Sequence, residues 1–302
     1  MINLRQLQHA LALREHSSFG KAAKSCNISQ PAFSRSIQQL EKSLGTRLFD
    51  RRGGVIEPTN IGESVLSRAA VISNESYELE REVVLLKGLE FGNLVVAVGT
   101  NAAEISGAKA IGMLMQQYPA ITSQILVLGW RQVMDQILSQ HADVGLAEIG
   151  TAELDERIQV EPVAAHPVRF YCRSKHPLYR RKRLAIADLG QYPLVGSRLP
   201  PRVAGCFFGG GSLDALNGDF VPAIESDEPT MARNIVRQSN AISFAAIPQL
   251  CSWPDREDFH ILPVIEPWMQ LNYGFISLKN RTLLPAALKF MELVLAAEAE
   301  LG

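Results

Sequence analysis

Apolar positions up to Gly45 fall at helical spacing. Leu4, Leu7 and Leu11 predict a first amphipathic helix. Ser17 and Ser18 can cap a second helix, Phe19 to about Cys26, whose small pair Ala22-Ala23 lets another helix approach closely. Asn27 tolerates the left-handed conformation and can end it. Ser29 is a suitable N-cap for a third helix, with Pro31 in the first turn, where a missing N–H costs nothing. Phe33, Ile37, Leu40 and Leu44 then step by four, three and four, one apolar stripe, and Gly45 stops the helix. Off the stripe lie Gln30, Ser34, Arg35 and Gln38. Their amide, hydroxyl and guanidinium groups are of the kind that hydrogen-bond base edges and phosphates.

After Leu48-Phe49, the run Asp50-Arg51-Arg52-Gly53-Gly54-Val55-Ile56-Glu57-Pro58 reads as a hairpin around two glycines. A basic hairpin beside such a helix is a wing, with Arg51 and Arg52 near phosphates or the minor groove. Thr59 or Asn60 can cap a longer helix. Within it Val65, Ala69, Ile72, Ser76, Leu79, Val83 and Leu86 alternate steps of four and three, the seam pattern of a coiled coil. Ser76 is its weak position and Ala69 narrows it. The alternative is an amphipathic helix packed on its own domain.

From Asn93 the pattern changes. Short apolar strands (Leu94–Val98, Ser123–Leu128, Val144–Ala147) alternate with helices over Glu104–Tyr118 and Trp130–Gln140. Further strands are expected near Val168–Cys172, Leu194–Gly196, Ala223–Ser226, Ile242–Ala245 and Leu271–Leu278, with helices at Pro229–Arg237 and Pro285–Ala299. Such alternation implies an α/β fold with a parallel sheet and right-handed crossovers. Gly209-Gly210-Gly211 is a flexible turn and not a phosphate loop, because no Gly-Lys-Ser/Thr follows it.

Composition sharpens this picture at two points. The 302 residues, 47% apolar and 20% charged, describe an ordinary globular chain of two or three folding units. The net charge of −1 hides a polarity. Up to Asn60 nine basic residues face four acidic ones, a balance of +5 that leaves −6 for the remainder. That suggests a polyanion partner for one end, against the plainer reading of a solvated basic face. The cysteines Cys26, Cys172, Cys206 and Cys251 lack zinc-ligand spacing, so a reduced cytoplasm is expected, with neither metal nor other cofactor. Arg5, His9, Arg14 and Glu15 interrupt any signal-peptide core, and no run approaches the ~20 apolar residues of a membrane helix.

The run AAKSCNISQPAFSRSIQQLEKSLGTRLFDR, followed by PTNIGE, resembles the DNA-binding domain of LysR-type transcriptional regulators. The match rests on Ala22-Ala23, Ser29-Gln30-Pro31-Ala32, Ser34-Arg35, Ile37, Leu40-Glu41, Leu44-Gly45, Leu48-Phe49, Arg51, Thr59 and Gly62. Phe33 departs from it, since a smaller aliphatic is commoner there, but it sits on the apolar stripe and reads as core. The resemblance implies base contacts at Gln30, Pro31, Ser34 and Arg35, and a phosphate contact at Arg51. It also implies a homodimer or homotetramer joined through the long helix, so that two heads read a two-fold site on double-stranded DNA, about one helical turn (~34 Å) or a multiple apart. RNA polymerase is the further partner it implies.

The chain then divides into a winged helix-turn-helix (1–58), a linker and dimerisation helix (59–91) and an effector-binding domain (92–302). By resemblance the last has a two-lobed periplasmic-binding-protein-like fold, lobe one 92–162 with 268–302 and lobe two 163–267. Local echoes are His176-Pro177-Leu178, Leu184 through Asp188-Leu189 to Tyr192-Pro193-Leu194, and Ala241-Ile242-Ser243. The chain would cross between lobes near Glu161–Pro162 and near Pro267, a hinge able to close on a small-molecule effector. Ligands of open α/β sheets sit beyond the carboxyl ends of strands. That rule selects Thr100, Asn101, Ala102, Gly129, Trp130, Glu148, Ser197, Arg198, Thr230 and Phe244, with Asp227 beside Thr230. Thr100 and Asn101 are equally suited to capping a helix, Trp130 to the core and Glu148 to a solvated loop. A cleft-facing Glu148 disfavours an anion unless Arg198 pairs with it.

The competing functions are an enzyme and a solute-binding protein. The chain has no Gly-x-Ser-x-Gly elbow, metal-ligand cluster or dinucleotide fingerprint. A solute-binding protein would lack the basic head. A DNA-binding regulator switched by an effector is the reading that uses both halves.

Overall fold

The structure, a computed structural model, describes residues 2–52, 55–87, 92–150, 152, 155–206 and 209–301. The chain forms two compact units, residues 1–86 and 87–302.

The first unit packs α1 (Leu4–His16), α2 (Phe19–Ser25) and α3 (Gln30–Leu44) beside a hairpin of β1 (Phe49–Arg52) and β2 (Val55–Pro58) and the start of α4 (Asn60–Lys87). The cap expectations are met unevenly. Ser18 accepts from Lys21 N, and Asn27 sits at φ 55°, but Ser29 occupies the N-cap of α3 without a side-chain cap bond. Gly45 closes α3 in the left-handed conformation. Leu7, Leu13, Ala22, Ala23, Phe33, Ile37, Leu40 and Leu48 form the core, joined by Leu66 and Ala69 of α4. Thr59 caps α4 by accepting from Gly62 N at 2.9 Å and donates its hydroxyl to the Arg47 carbonyl. A Cβ on Gly62 would fall 2.0 Å from the Leu48 carbonyl oxygen, so only glycine lets α4 lie this close.

In the second unit β3 (Gly92–Gly99) leads into α5 (Thr100–Ala102), a π-helical turn (Ala103–Gly107) and α6 (Ala108–Gln117). Next come β4 (Ile121–Leu128), α7 (Trp130–Leu138), β5 (Val144–Glu148), β6 (Ile158–Arg173), α8 (Ile186–Leu189), β7 (Val195–Gly196) and α9 (Pro201–Ala204). The chain continues through β8 (Gly211–Leu213), β9 (Phe220–Pro222), β10 (Ile224–Glu225), α10 (Pro229–Gln238), β11 (Ser243–Ala246), α11 (Ile247–Ser252), β12 (Phe259–Ile261), β13 (Gln270–Leu278) and α12 (Pro285–Ala299). Helix therefore begins at Thr100, earlier than the expected Glu104.

The large sheet has the order β11-β6-β13-β5-β3-β4, with β12 also on β6. It is mixed and not parallel throughout. β3 runs parallel to β4 and β5, but β13 is antiparallel to both β5 and β6. β6 is one sixteen-residue strand that serves both halves of the unit. Up to Pro167 it pairs with β13, and from Val168 with β11 and then β12. The change of partner thus falls at Pro167–Val168 and not at Glu161–Pro162. Pro162 breaks neither strand nor pairing, because the ladder absorbs it at the register shift opposite Tyr273/Gly274. Each half has its own core. Val95, Ala97, Val133, Ile137 and Ile276 fill the first, beneath α7. In the second, Phe170 and Cys172 face one cluster and Tyr171 the other, as strand alternation requires.

Candidate functional site

On α3 the buried stripe of Phe33, Ile37 and Leu40 leaves the opposite face free. Gln30, Pro31, Arg35 and Gln38 are exposed and Ser34 is half-buried. The polar residues selected from sequence therefore share the first turns of one solvent-facing side. Arg51 and Arg52 stand on β1 in register with Ile56 and Val55. Their side chains, and the turn at Gly53-Gly54, lie outside what the structure describes.

Three supports of α3 had no periodic signal in the sequence. His9 is buried, 2.7 Å from Ser36 Oγ through Nδ1, and packs its ring on Phe33 with centroids 5.2 Å apart. Phe33 also meets Phe19 edge-on, so the large ring at this position fills a three-ring cluster. Burial, then Arg5, holds His9 below its ordinary 6.5. The Glu41 carboxylate accepts from Leu48 N at 2.7 Å and Phe49 N at 3.3 Å, fixing the entry to the hairpin. On α4, Val65 and Ala69 pack into the head's own core, so the seam expected there is taken up by intramolecular packing. Ile72, Leu79 and Val83 are exposed, Leu79 by 64%. The side chain of Leu86 lies outside the described residues.

In the second unit a cleft opens between the halves at the carboxyl ends of β3 and β5, with a cavity of about 90 Å³. Of the ten positions selected from sequence, eight line it: Thr100, Asn101, Ala102, Trp130, Glu148, Ser197, Arg198 and Phe244. Gly129 and Thr230 do not. Gly129 turns its N–H to Gln132 Oε1, and a Cβ there would stand 3.0 Å from the Asp227 carboxylate, where the halves meet. Burial, then Glu225, raises the pKa of Asp227. Thr230 is exposed on α10, and its hydroxyl accepts from Arg233 at 3.3 Å. The strand-end rule missed the apolar floor, formed by Val168 and Phe170 of β6, Trp268, and Tyr273 of β13. These residues lie mid-strand or next to the chain crossing, places that a rule about strand ends does not reach.

The charges in the cleft are paired. Arg198 is committed to Glu225 through Nε at 2.7 Å and to Asp214 through Nη1 at 2.7 Å. The partner of Glu148 is Arg202, Nε to Oε1 at 3.0 Å, and not Arg198, whose guanidinium the two other carboxylates already hold. A Cβ on Gly150 would sit 3.0 Å from Glu148 Oε1 and 3.4 Å from the Arg202 side chain, so glycine leaves room for that pair. Further bonds join the halves. Trp130 Nε1 donates to the Arg198 carbonyl at 3.3 Å, and Arg131 grips buried Asp219 with two bonds of 2.6 and 2.7 Å. Arg233 and Gln249 hold Glu104 at 3.4 and 2.9 Å. Behind the floor, the Tyr273 hydroxyl lies 3.0 Å from Ser106 of the π-turn and donates to Glu298, which also meets His166 at 2.8 Å. Burial, reinforced by Glu298, pushes the Tyr273 phenol well above its usual range. Among the described residues no group of His, Cys, Asp or Glu is placed to hold a metal, and no helix is long and apolar enough to cross a membrane.

Comparison with known proteins matches residues 4–63 to the bacterial regulatory helix-turn-helix protein, lysR family, and residues 87–299 to the LysR substrate binding domain. The chain belongs to the LysR family of transcriptional regulators. An SDS degradation transcriptional activation protein from a Pseudomonas species is 32% identical, over 99% of this chain and 97% of its own. Full-length CbnR complexed with its target DNA has a TM-score of 0.62 at 21% identity, covering 98% of this chain and 100% of that one. A full-length OxyR variant from Pseudomonas aeruginosa has a TM-score of 0.56 at 16% identity, covering 97% and 100%. The two solved structures share the fold. This LysR-family chain is thus a DNA-binding regulator with an effector-binding domain. The relatives are transcriptional regulators by name, so its role is regulation and not catalysis.

Proposed function

We propose that two or four copies of this regulator bind a two-fold site on duplex DNA in the cytoplasm and alter contact with RNA polymerase when a small molecule enters the cleft. The observation that carries this is the two-sided α3: Phe33, Ile37 and Leu40 turn inward while Gln30, Arg35 and Gln38 face solvent on a head of net +5. Gln30 and Ser34 read base edges, Pro31 packs against them, and Arg35 and Gln38 extend the contact along the groove. Arg51 and Arg52 meet phosphates. Exposed Ile72, Leu79 and Val83 join two copies along α4, with Leu86 continuing the seam, while Val65 and Ala69 anchor that helix to its own head. The effector acts only through different affinities for the open and closed cleft. The name of the 32%-identical relative favours activation over repression.

In-vitro selection from a pool of random duplexes tests the reading. The full chain should enrich a two-fold motif, and Gln30→Ala should relax it. A pool with no enriched motif at low salt counts against the proposal.

A further inference from the structure

The cleft carries information about what it takes, on the premise that it is the effector site. Glu148 ends β5 and is 7% exposed. Its Oε1 is occupied by Arg202, while Oε2 is buried and has no hydrogen-bond partner among the described residues. A buried carboxylate oxygen left in this state is costly, and a donor brought by a ligand relieves that cost. Among the described residues that line the cleft, no buried side-chain donor is left without a partner in the same way. Arg198 is spent on Glu225 and Asp214, and Arg202 gives Nε to Glu148 and Nη2 to the Gln270 carbonyl. The remaining walls are largely apolar and include the rings of Trp130, Phe170, Phe244, Trp268 and Tyr273, with Thr100, Asn101 and Ser197 at the strand ends.

We propose that the cleft binds a compact, uncharged molecule with an apolar body and a hydroxyl or N–H group that donates to Glu148 Oε2. An anion would place its charge against the Glu148 carboxylate with the nearby guanidinium groups already engaged. A cation would lose its hydration beside a Glu148–Arg202 pair that is already neutral in sum. The aromatic rings cover the apolar body, and Gly150 keeps the carboxylate in place by leaving room for Arg202.

The test uses the full chain labelled with 5-fluorotryptophan and three probes on one carbon skeleton: benzyl alcohol, benzylammonium and benzoate. Trp130 and Trp268 line the cleft and report binding there by ¹⁹F shift, each signal assigned from a Trp→Phe variant. Benzyl alcohol should move both signals and bind about tenfold tighter than benzoate and than benzylammonium. Glu148→Gln should remove most of that preference. The ranking on the unsubstituted protein stands even if the variant folds poorly. Benzoate or benzylammonium binding as tightly as benzyl alcohol, or an unchanged ranking in folded Glu148→Gln, overturns the donor assignment and leaves the cleft as a ligand site. Trp130 and Trp268 signals that none of the probes moves at millimolar concentration overturn both.

Discussion

The two units build their sites in opposite ways. In the head, the buried stripe and the candidate contact residues Gln30 to Gln38 share one helix, so the latter are neighbours in sequence and in space. In the effector unit, residues from Gly99 to Tyr273 converge on one cleft, and the pairs Glu148–Arg202 in it and Arg131–Asp219 outside it tie the halves together. The head leaves Gln30, Arg35 and Gln38 exposed to solvent. The cleft pairs Arg198, Glu148 and Arg202 with groups of the same unit and leaves an apolar space with one carboxylate oxygen unpaired among the described residues. A surface proposed to meet a polyanion and a pocket proposed to take a small molecule need these different treatments of charge.

The comparison can be broken most severely in the head's core. Phe33→Ala removes a fully buried ring from the three-ring cluster and should cost about 3–5 kcal/mol. Denaturation followed by a probe in each unit should show the head melting early while the effector unit keeps its transition. A common loss in both units would show that they do not fold independently.

Arg131→Ala attacks the effector unit's internal pairing. Asp219 is 0% exposed, so its carboxylate would stay behind uncompensated. Arg131 is itself 37% exposed, which discounts the cost to about 1–3 kcal/mol. Urea titration of the effector-unit transition measures it, and a midpoint unchanged from the native chain would remove Arg131–Asp219 as a clamp between the halves.

Within the head, Gln30→Ala should lower discrimination at one base pair by about 1–3 kcal/mol and leave the salt dependence unaltered. Arg51→Ala should do the reverse, weakening matched and mismatched sites alike and reducing the salt slope by about one. Titrations on paired duplexes at several salt concentrations separate the two. If both variants shift affinity in the same pattern, helix and wing do not divide base and phosphate contacts.

The smallest effect is shared. Burial, then Arg5, holds His9 below 6.5 in the head, and burial, with Arg173, does the same for His176 in the effector unit. Both therefore take up protons less readily folded than unfolded. The stability they contribute is present above about 6.5 and is lost as pH falls through the lower folded-state values. Melting at pH 7.5 and 5.5 should show both transitions moving down, and a head transition that ignores pH would contradict the buried His9.

Much of this was readable because it is local. The Phe33–Leu44 stripe needs only the period of a helix, and Thr100, Trp130, Glu148 and Ser197 follow from where strands end. The apolar line along α4 was readable, but not what covers it. Periodicity puts Val65 and Ala69 in line with Ile72, but it does not tell which end of a long helix its own domain covers. Arg202 gave no signal as the partner of Glu148, nor did Asp219 as that of Arg131, since 54 and 88 residues separate them.

The order of residues alone determined α3, its buried stripe and the polar face opposite, because a helix brings together residues three and four apart wherever it lies. Tertiary structure decided which carboxylate meets which guanidinium, where β6 changes partners and which rings floor the cleft. Those depend on how distant strands are placed side by side, and no local period encodes that placement.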